Sequence, residues 1–319
     1  MTESVTDYSR LYQEHGDFLR GYCYRLTGTL QDAHDLVQET FVRAIERPPR
    51  DTAASWRPWL ARVATNLRRD RLRRDRREYV GSWLPAPLDT AAFTWWRAGL
   101  DDVEGRYQAA ESVTFAFLLA LETLTPLQRA VLLLRDVYDY STRECAQALD
   151  SSEANVKTTL HRARRRLEEY DHRRHPPGPR VSGDTAGALE RLVACFSRQD
   201  PAAMEALLAR DVEAWSDGGG RFYAAKKPVR GREKVALFFS NIAREGGGPV
   251  RFTPREWNGL PGVFVERLGL PDRFAPRWAF ALELDADGLI RRTYSVLNPD
   301  KLGGIPGIGL DQSAAKPLG

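Results

Sequence analysis

The stretch STRECAQALDSSEANVKTTLHRARRRLEE, residues 141–169, decides the fold prediction for the middle of this chain. Ser141 and Glu144 have the spacing of a capping box, which begins a short helix. A tight turn at Asp150 follows, and Ser152 begins a second helix. The second helix carries one apolar stripe, formed by Val156, Leu160, Ala163 and Leu167. Two short helices joined by a tight turn predict a helix-turn-helix in which this stripe is buried.

The opposite face of the second helix consists of hydrogen-bond donors. Arginine and lysine neutralise phosphate or read guanine edges in the major groove, as a recognition helix requires. Basic helix faces are also common on solvated surfaces, so the pattern alone leaves both interpretations open. The predicted DNA-contacting residues are Arg135, Lys157, Thr158, His161, Arg162 and Arg165.

A second basic helix is predicted over about residues 56–77, with Ser55 as its N-cap. Its predicted buried stripe is Trp59, Leu60, Val63, Ala64 and Leu67. Arginines interleaved with aromatic residues suit single-stranded or melted DNA, on which bases stack, although a solvated helix end has the same composition. The predicted contacts to melted DNA are Trp56, Trp59, Arg62, Asn66, Arg69 and Arg73.

Composition excludes several other classes of protein. The chain has 319 residues and a formal net charge of +4, enough for two or three domains. Cys23, Cys145 and Cys195 are far apart, and the histidines lack ligand spacing, so we predict reduced thiols, no metal site and no cofactor. No segment has the length of a membrane span and the N-terminus is polar, so we expect a cytoplasmic protein without membrane contact.

The remaining segments differ in character. Residues 81–112 contain WLPAPL at 83–88, where prolines prevent regular helix, and so apolar a linker should dock on protein. A second linker is predicted at 173–185. Residues 186–303 predict an α+β domain, a curved sheet closed by helices, and 304–319 a flexible tail. Its predicted elements are a helix at 232–244, strands at 211–215, 250–257, 262–268, 276–285 and 289–297, and a hairpin turn at Asp287-Gly288.

Several motifs resemble the extracytoplasmic-function sigma factors of bacterial RNA polymerase. DLVQETF at 35–41 resembles the core-binding helix of sigma region 2, and WLARVATN at 59–66, before the arginine run, resembles its −10-recognising part. LTPLQR at 124–129 and NVKTTLHRAR at 155–164 resemble region 4, which reads the −35 element. Many relatives have glycine at Asp150, but aspartate tolerates the left-handed conformation.

The resemblance implies two all-α sigma domains, region 2 at 1–80 and region 4 at 113–172. Core RNA polymerase and promoter DNA would be the partners. The basic helix at 141–169 would then read the −35 element, and the helix at 56–77 the −10 element. The residues implied to bind core polymerase are Asp35, Gln38, Glu39 and Phe41.

Three further motifs resemble the SigJ-like group of these sigma factors, which carries a C-terminal SnoaL-like domain, an NTF2-type cone. They are WLPAP at 83–87, DGGGR at 217–221 and NPDKL at 298–302, with Ala86 in place of glutamate and Arg221 in place of lysine. The resemblance implies that this domain controls sigma activity in cis. The implied regulatory residues are Trp83, Leu84, Pro85, Asp217, Gly218, Gly219, Gly220, Arg221, Asn298, Pro299, Asp300 and Lys301.

Two other functions stay open at this point. SnoaL-like domains resemble ketosteroid isomerases, in which Asp217 would be the base with Tyr223 or Trp215 nearby. Asp-Gly is also ordinary turn chemistry, which we favour, and we predict no enzymatic activity. A helix-turn-helix activator with a ligand-sensing domain would also bind DNA, but it would not need the polar face at Asp35.

Overall fold

The computed structural model describes residues 8–49, 56–74, 79–100, 105–174, 179–198, 200–245, 250–267, 273–303 and 305. The chain divides into two compact units. The helical unit joins Met1–Arg77 to Phe93–Arg174, and the C-terminal unit joins Glu78–Ala92 to His175–Gly319. This division differs from the predicted domain boundaries, and the predicted linker at 173–185 overlaps a helix that begins at Pro179. The regions at 1–80 and 113–172 pack into one unit, and the linker at 81–112 is divided between both units, because each half packs on a different core.

The helical unit is built from amphipathic helices with capped starts. The helix-turn-helix forms as predicted: Ser141 and Glu144 make both hydrogen bonds of the capping box, and Ser152 accepts from the Asn155 amide. Asp150 adopts φ 51° in the turn, the left-handed conformation that aspartate tolerates. The helices are α1 Tyr8–Thr27, α2 Leu30–Glu46, α3 Trp56–Arg74, α4 Phe115–Leu121, α5 Pro126–Leu132, α6 Thr142–Ala148, α7 Glu153–Arg166 and α8 Glu168–Arg173.

The buried face of α3 differs from the predicted stripe. Leu60 and Ala64 are buried as predicted, but Trp59, Val63 and Leu67 are only half-buried. The face is rotated because two small residues turn inward. Ala61 and Thr65 are buried, and the Thr65 hydroxyl lies 2.8 Å from the Tyr22 hydroxyl of α1. A buried hydroxyl needs a hydrogen-bond partner, and α1 supplies one.

The C-terminal unit contains one mixed sheet of six strands among its described residues, in the order β2-β1-β6-β5-β4-β3. The β1 and β6 strands are parallel and the other neighbours are antiparallel. The strands are β1 Leu208–Asp217, β2 Val229–Arg230, β3 Val250–Trp257, β4 Leu260–Arg267, β5 Arg277–Leu284 and β6 Ile290–Val296, and the helices are α9 Pro179–Arg198, α10 Pro201–Ala206 and α11 Arg232–Glu245.

Helices and sheet share one apolar core, which confirms the predicted α+β domain. Leu192 of α9, Val235 of α11 and Leu282 of β5 are fully buried in it. The predicted turn at Asp287-Gly288 joins β5 and β6, with Gly288 at φ 77°. The predicted Ser55 N-cap and the predicted tail at 304–319, apart from Ile305, lie outside the described residues.

Candidate DNA-binding helices and linker-docking site

The α7 helix separates a buried face from an exposed basic face. Val156, Leu160 and Ala163 are buried against the rest of the helical unit. The five predicted DNA-contacting residues of α7 are all exposed: Lys157, Thr158, His161, Arg162 and Arg165. Among the residues that the structure describes, no hydrogen bond or ion pair engages the basic groups of Lys157, His161, Arg162 or Arg165. These cations are therefore available to phosphate oxygens or base edges.

An ion pair between Arg164 and a buried carboxylate fixes the orientation of α7. Arg164 donates two hydrogen bonds to Asp136, at 2.9 and 2.6 Å, and Asp136 is 1% exposed. These hydrogen bonds raise the pKa of Arg164. A bidentate arginine–carboxylate pair restricts rotation as well as distance, so it holds α7 with its basic face outward.

Arg135 lies apart from that face. It belongs to a π-helical segment, Leu133–Val137, and is half-buried. Its Nε atom is buried and has no hydrogen-bond partner in the described part of the chain. The structure therefore leaves only part of this guanidinium open to a nucleic acid.

The α3 helix presents a mixed aromatic and polar surface. Trp56 and Trp59 are half-buried and pack edge to face with their ring centroids 5.7 Å apart. Asn66 and Arg69 are exposed and Arg62 is half-buried. The side chain of Arg73 lies outside the described residues. The half-exposed tryptophans offer ring surface on which an unpaired base can stack.

The predicted core-binding residues of α2 fall into two groups. Asp35 and Glu39 are half-exposed and Gln38 is exposed. The Glu39 carboxylate already forms an ion pair with the Arg71 guanidinium of α3, at 2.9 Å. Phe41 is 9% exposed, and the centroid of its ring lies 4.9 Å from that of the Tyr12 ring. We therefore correct its assignment: Phe41 anchors α2 to α1, because its side chain is covered by the helical unit itself.

The sequence did not reveal the role of Arg25, which joins α1 to segments far along the chain. Its guanidinium is fully buried and donates to the Ser112 hydroxyl at 2.9 and 2.7 Å and to the Trp96 carbonyl at 2.9 Å. Burial lowers its pKa. The available signal was an arginine on the apolar face of α1, seven residues after Phe18. A charge at such a position needs long-range partners.

The segment at 79–92, called the linker from here on, docks within the C-terminal unit around one buried carboxylate. Asp217, at the end of β1, is fully buried. It accepts hydrogen bonds from the Tyr79 hydroxyl at 2.5 Å and from the backbone amides of Leu84 at 2.9 Å and Gly219 at 3.0 Å. It also forms an ion pair with Lys301 at 2.7 Å. We call Asp217, Lys301, Asn298 and the glycines at 218–220 the linker-docking site.

Lys301 binds the linker by one hydrogen bond and two cation–π contacts. Its ammonium is buried and also donates to the Leu84 carbonyl at 2.5 Å. The nitrogen lies 4.7 Å from the centroid of the Tyr79 ring and 4.6 Å from that of Trp83. Cation–π attraction strengthens when the cation is desolvated, as it is here. One lysine therefore holds both the backbone and the aromatic side chains of the linker.

The glycine loop is shaped for close approach. Gly219 has φ 59°, and a Cβ there would overlap the Asn298 side chain, whose amide donates to the Tyr79 hydroxyl at 3.0 Å. Gly220 has φ 74°, and a Cβ added there would lie 3.2 Å from the Val80 side chain of the linker. Only glycine meets both requirements. Arg221 instead pairs with Asp300 at 3.0 Å on the surface.

The linker continues along the edge of the sheet. Leu88 and Asn258 exchange two hydrogen bonds: the Leu88 amide donates to the Asn258 side chain at 2.9 Å, and the Asn258 amide donates to the Leu88 carbonyl at 2.8 Å. The Thr90 amide donates to the Glu256 carbonyl at 3.0 Å. Leu84, Pro85, Ala86 and Leu88 are buried. The whole stretch is thus paired and covered rather than solvated.

The docking role of Asp217 weakens the isomerase alternative. A catalytic base must reach substrate in a pocket. Asp217 does not line the cavity of this unit, whereas its neighbour Ser216 and Tyr223 do. The carboxylate is occupied by four donors from the protein. No group of histidine, cysteine or acidic side chains that could hold a metal ion occurs among the described residues.

Comparison with known proteins agrees with this arrangement. Residues 11–78 match the family model for sigma-70 region 2, and residues 114–167 match that for sigma-70 region 4. The extracytoplasmic-function RNA polymerase sigma factor SigJ of Mycobacterium tuberculosis is 33% identical, over 99% of this chain and 97% of the relative. Sigma factor SigG of the same species is 33% identical over 61% of this chain and 57% of its own.

A solved structure matches most of the fold. The crystal structure of M. tuberculosis SigJ covers 93% of this chain and 99% of its own, with a TM-score of 0.71 and 29% identity. The protein is therefore a bacterial transcription-initiation factor of the sigma-70 type. Within that class, the chain belongs to the extracytoplasmic-function sigma factors, and the relatives named here are sigma factors rather than enzymes. Among the described residues, no helix is long and apolar enough to cross a membrane.

Proposed function

We propose that this sigma factor binds core RNA polymerase and promoter DNA, with α7 on the −35 element and α3 on the melted −10 element. The exposed basic face of α7, opposite a fully packed face, is the observation that supports this proposal most directly. A helix fixed by the Arg164–Asp136 pair and exposing Arg162 and Arg165 has the form that the major groove admits. The half-exposed Trp56 and Trp59 of α3 suit unstacked bases instead.

The polar surface of α2 is proposed to bind core polymerase. Among the described residues, Asp35 and Gln38 hydrogen-bond locally, to Gln31 and His34 one helical turn away. Such contacts are easily exchanged for intermolecular ones. Glu39 would have to share its carboxylate between Arg71 and the polymerase.

Reconstituted transcription tests the proposal. Core RNA polymerase free of other sigma factors is mixed with the full chain and a library of candidate promoter fragments. Initiation is expected at a subset of sequences, and Arg162→Gln is expected to reduce it at all of them. The matched control is Arg198→Gln, which removes an exposed charge at the end of α9. If the folded protein initiates transcription at none of the sequences, the proposal is wrong.

We also propose that docking of the linker on the C-terminal unit controls transcriptional activity in cis. The support is the burial of the Asp217–Lys301 pair against Trp83 and Leu84, since the carboxylate accepts from the Leu84 amide and the ammonium donates to the Leu84 carbonyl. Lys301→Met is expected to change the transcription rate of the full chain with core polymerase. Arg230→Gln, which removes an ion pair of an exposed side chain with Glu213, should leave it unchanged. Equal rates for both variants would contradict cis control by this contact.

A further inference from the structure

The C-terminal unit contains a partly open cavity that the proposed function does not use. It lies between the sheet and the helices α9 and α11 and has a volume of about 370 Å³. Small-molecule sites usually occupy about 300–1,000 Å³, so the space suits one small organic molecule. Its walls are mainly aromatic and aliphatic, among them Phe196, Phe239, Phe252, Trp278 and Phe280.

One cation interrupts this apolar wall. On β4, Val263, Val265 and Arg267 alternate along the strand, and all three line the cavity. The Nε atom of Arg267 is buried and has no hydrogen-bond partner among the described residues. One Nη atom reaches the Ala243 carbonyl at 3.5 Å, the outer limit of a hydrogen bond.

Several other arginines of the same sheet have an acidic partner, unlike Arg267. The guanidinium-to-carboxylate distance is 3.2 Å for Arg291 and Glu283, 3.7 Å for Arg292 and Glu213, and 3.7 Å for Arg277 and Glu266. Arg267 has no ion pair with any described acidic residue. Burial lowers its pKa, and no neighbouring charge contributes to that shift. No acidic side chain among the described residues therefore offsets the cost of holding this guanidinium against an apolar wall.

We propose that the cavity binds a singly charged organic anion, a flat aromatic or alicyclic carboxylate whose head group pairs with Arg267. The guanidinium matches a carboxylate through two parallel hydrogen bonds, a geometry that a neutral head group cannot reproduce. The ring system of the ligand packs on the aromatic wall formed by Phe196, Phe239 and Phe280, because aromatic rings attract one another in edge-to-face and offset-stacked arrangements. Arg267 lines the cavity and has no acidic partner among the described residues, so its charge is available to the head group.

A pair of probes with the same shape and different charge tests the inference. The full chain is titrated calorimetrically with 2-naphthoate and with its neutral analogue 2-naphthamide at neutral pH. Charge-assisted hydrogen bonds should make 2-naphthoate bind at least about tenfold more tightly. In Arg267→Gln this preference should disappear, while 2-naphthamide affinity stays within about threefold of wild type.

Two further variants keep the test decisive. Arg251→Gln makes the same change on β3 at a side chain that is 77% exposed, and it should alter neither affinity. Arg267→Lys keeps the charge and should keep most of the preference for the anion, even if Arg267→Gln proves unstable in thermal melts. The inference is overturned if neither probe binds, if both bind equally well to wild type, or if folded Arg267→Gln still prefers 2-naphthoate. None of these outcomes depends on DNA or polymerase binding.

Discussion

Replacing Lys301 by methionine should release the linker from the C-terminal unit. The variant Lys301→Met keeps an apolar chain of similar length and removes the ammonium. That deletes the 2.7 Å ion pair with Asp217, the 2.5 Å hydrogen bond to the Leu84 carbonyl and both cation–π contacts. The Asp217 carboxylate would remain, fully buried, with the donors of Tyr79, Leu84 and Gly219.

The magnitude follows from the charge left behind. Removing one partner of a buried ion pair costs about 3–5 kcal/mol when the other is left uncompensated. Here three neutral donors still bind the carboxylate, so we expect about 2–3 kcal/mol of lost docking free energy. That corresponds to a linker that opens about 30- to 150-fold more often.

Hydrogen–deuterium exchange of the full chain measures this opening directly. The amides of Leu84, Leu88 and Thr90 are hydrogen-bonded to groups of the C-terminal unit, so a peptide spanning 79–92 should be protected in wild type. In Lys301→Met its exchange should accelerate by the factor given above. Arg221→Gln removes the exposed pair with Asp300 and should change exchange by less than about fivefold.

A double variant separates charge pairing from simple loss of packing. Asp217→Asn combined with Lys301→Met leaves no uncompensated charge, so its loss should be smaller than the sum of the two single losses. Strict additivity would refute the buried-pair explanation. So would a Lys301→Met linker peptide that exchanges within about threefold of wild type.

Three further predictions follow from the helical unit. Arg162→Gln should weaken binding to −35 duplex, and if the contact is to phosphate it should lower the slope of log affinity against log salt concentration by about one unit. Filter binding at several salt concentrations measures both quantities. If the slope and the affinity are unchanged, Arg162 does not contact the DNA. Burial raises the pKa of Cys145 to about 12, so iodoacetamide at pH 8 should label it only after unfolding, and rapid native labelling would contradict its burial. Hydrogen bonds from Ser141 lower the pKa of Glu144, so the ionised carboxylate stabilises the protein above its ordinary pKa of 4.5, and this stabilisation is lost as the pH falls below that value. The difference in melting temperature between wild type and Glu144→Gln should therefore shrink on acidification. A difference that stays constant with pH would argue against the capping hydrogen bond.

Local features of the fold were predictable because their causes lie within a few residues. The capping box at Ser141 and Glu144 and the turn at Asp150 depend on neighbours along one helical turn, so residue spacing is enough to identify them. The apolar stripe of α7 was predicted for the same reason. In α3 the pattern placed the buried face incorrectly, since the hydroxyl of Tyr22 on another helix draws Thr65 inward.

The candidate sites were predictable only where side chains act at the surface. The exposed donors of α7 follow from its periodicity, and the aromatic linker at Trp83 indicated a docking surface because such residues avoid water. Phe41 was assigned to the polymerase interface by its motif, yet it is covered by Tyr12. A motif shows which residues occur together, but it does not show which of them the fold buries.

By itself, then, the sequence determined the helix-turn-helix, its basic face, the α+β character of the C-terminal unit and the sigma-factor motifs. Only the tertiary structure decided which buried groups pair. Lys301 meets Asp217 across 84 positions of sequence, Arg25 meets Ser112 across 87, and Arg267 is left without an acidic partner in the described chain. The physical reason is that periodicity depends on near neighbours, whereas a buried charge is stabilised by whatever distant groups the packing brings to it.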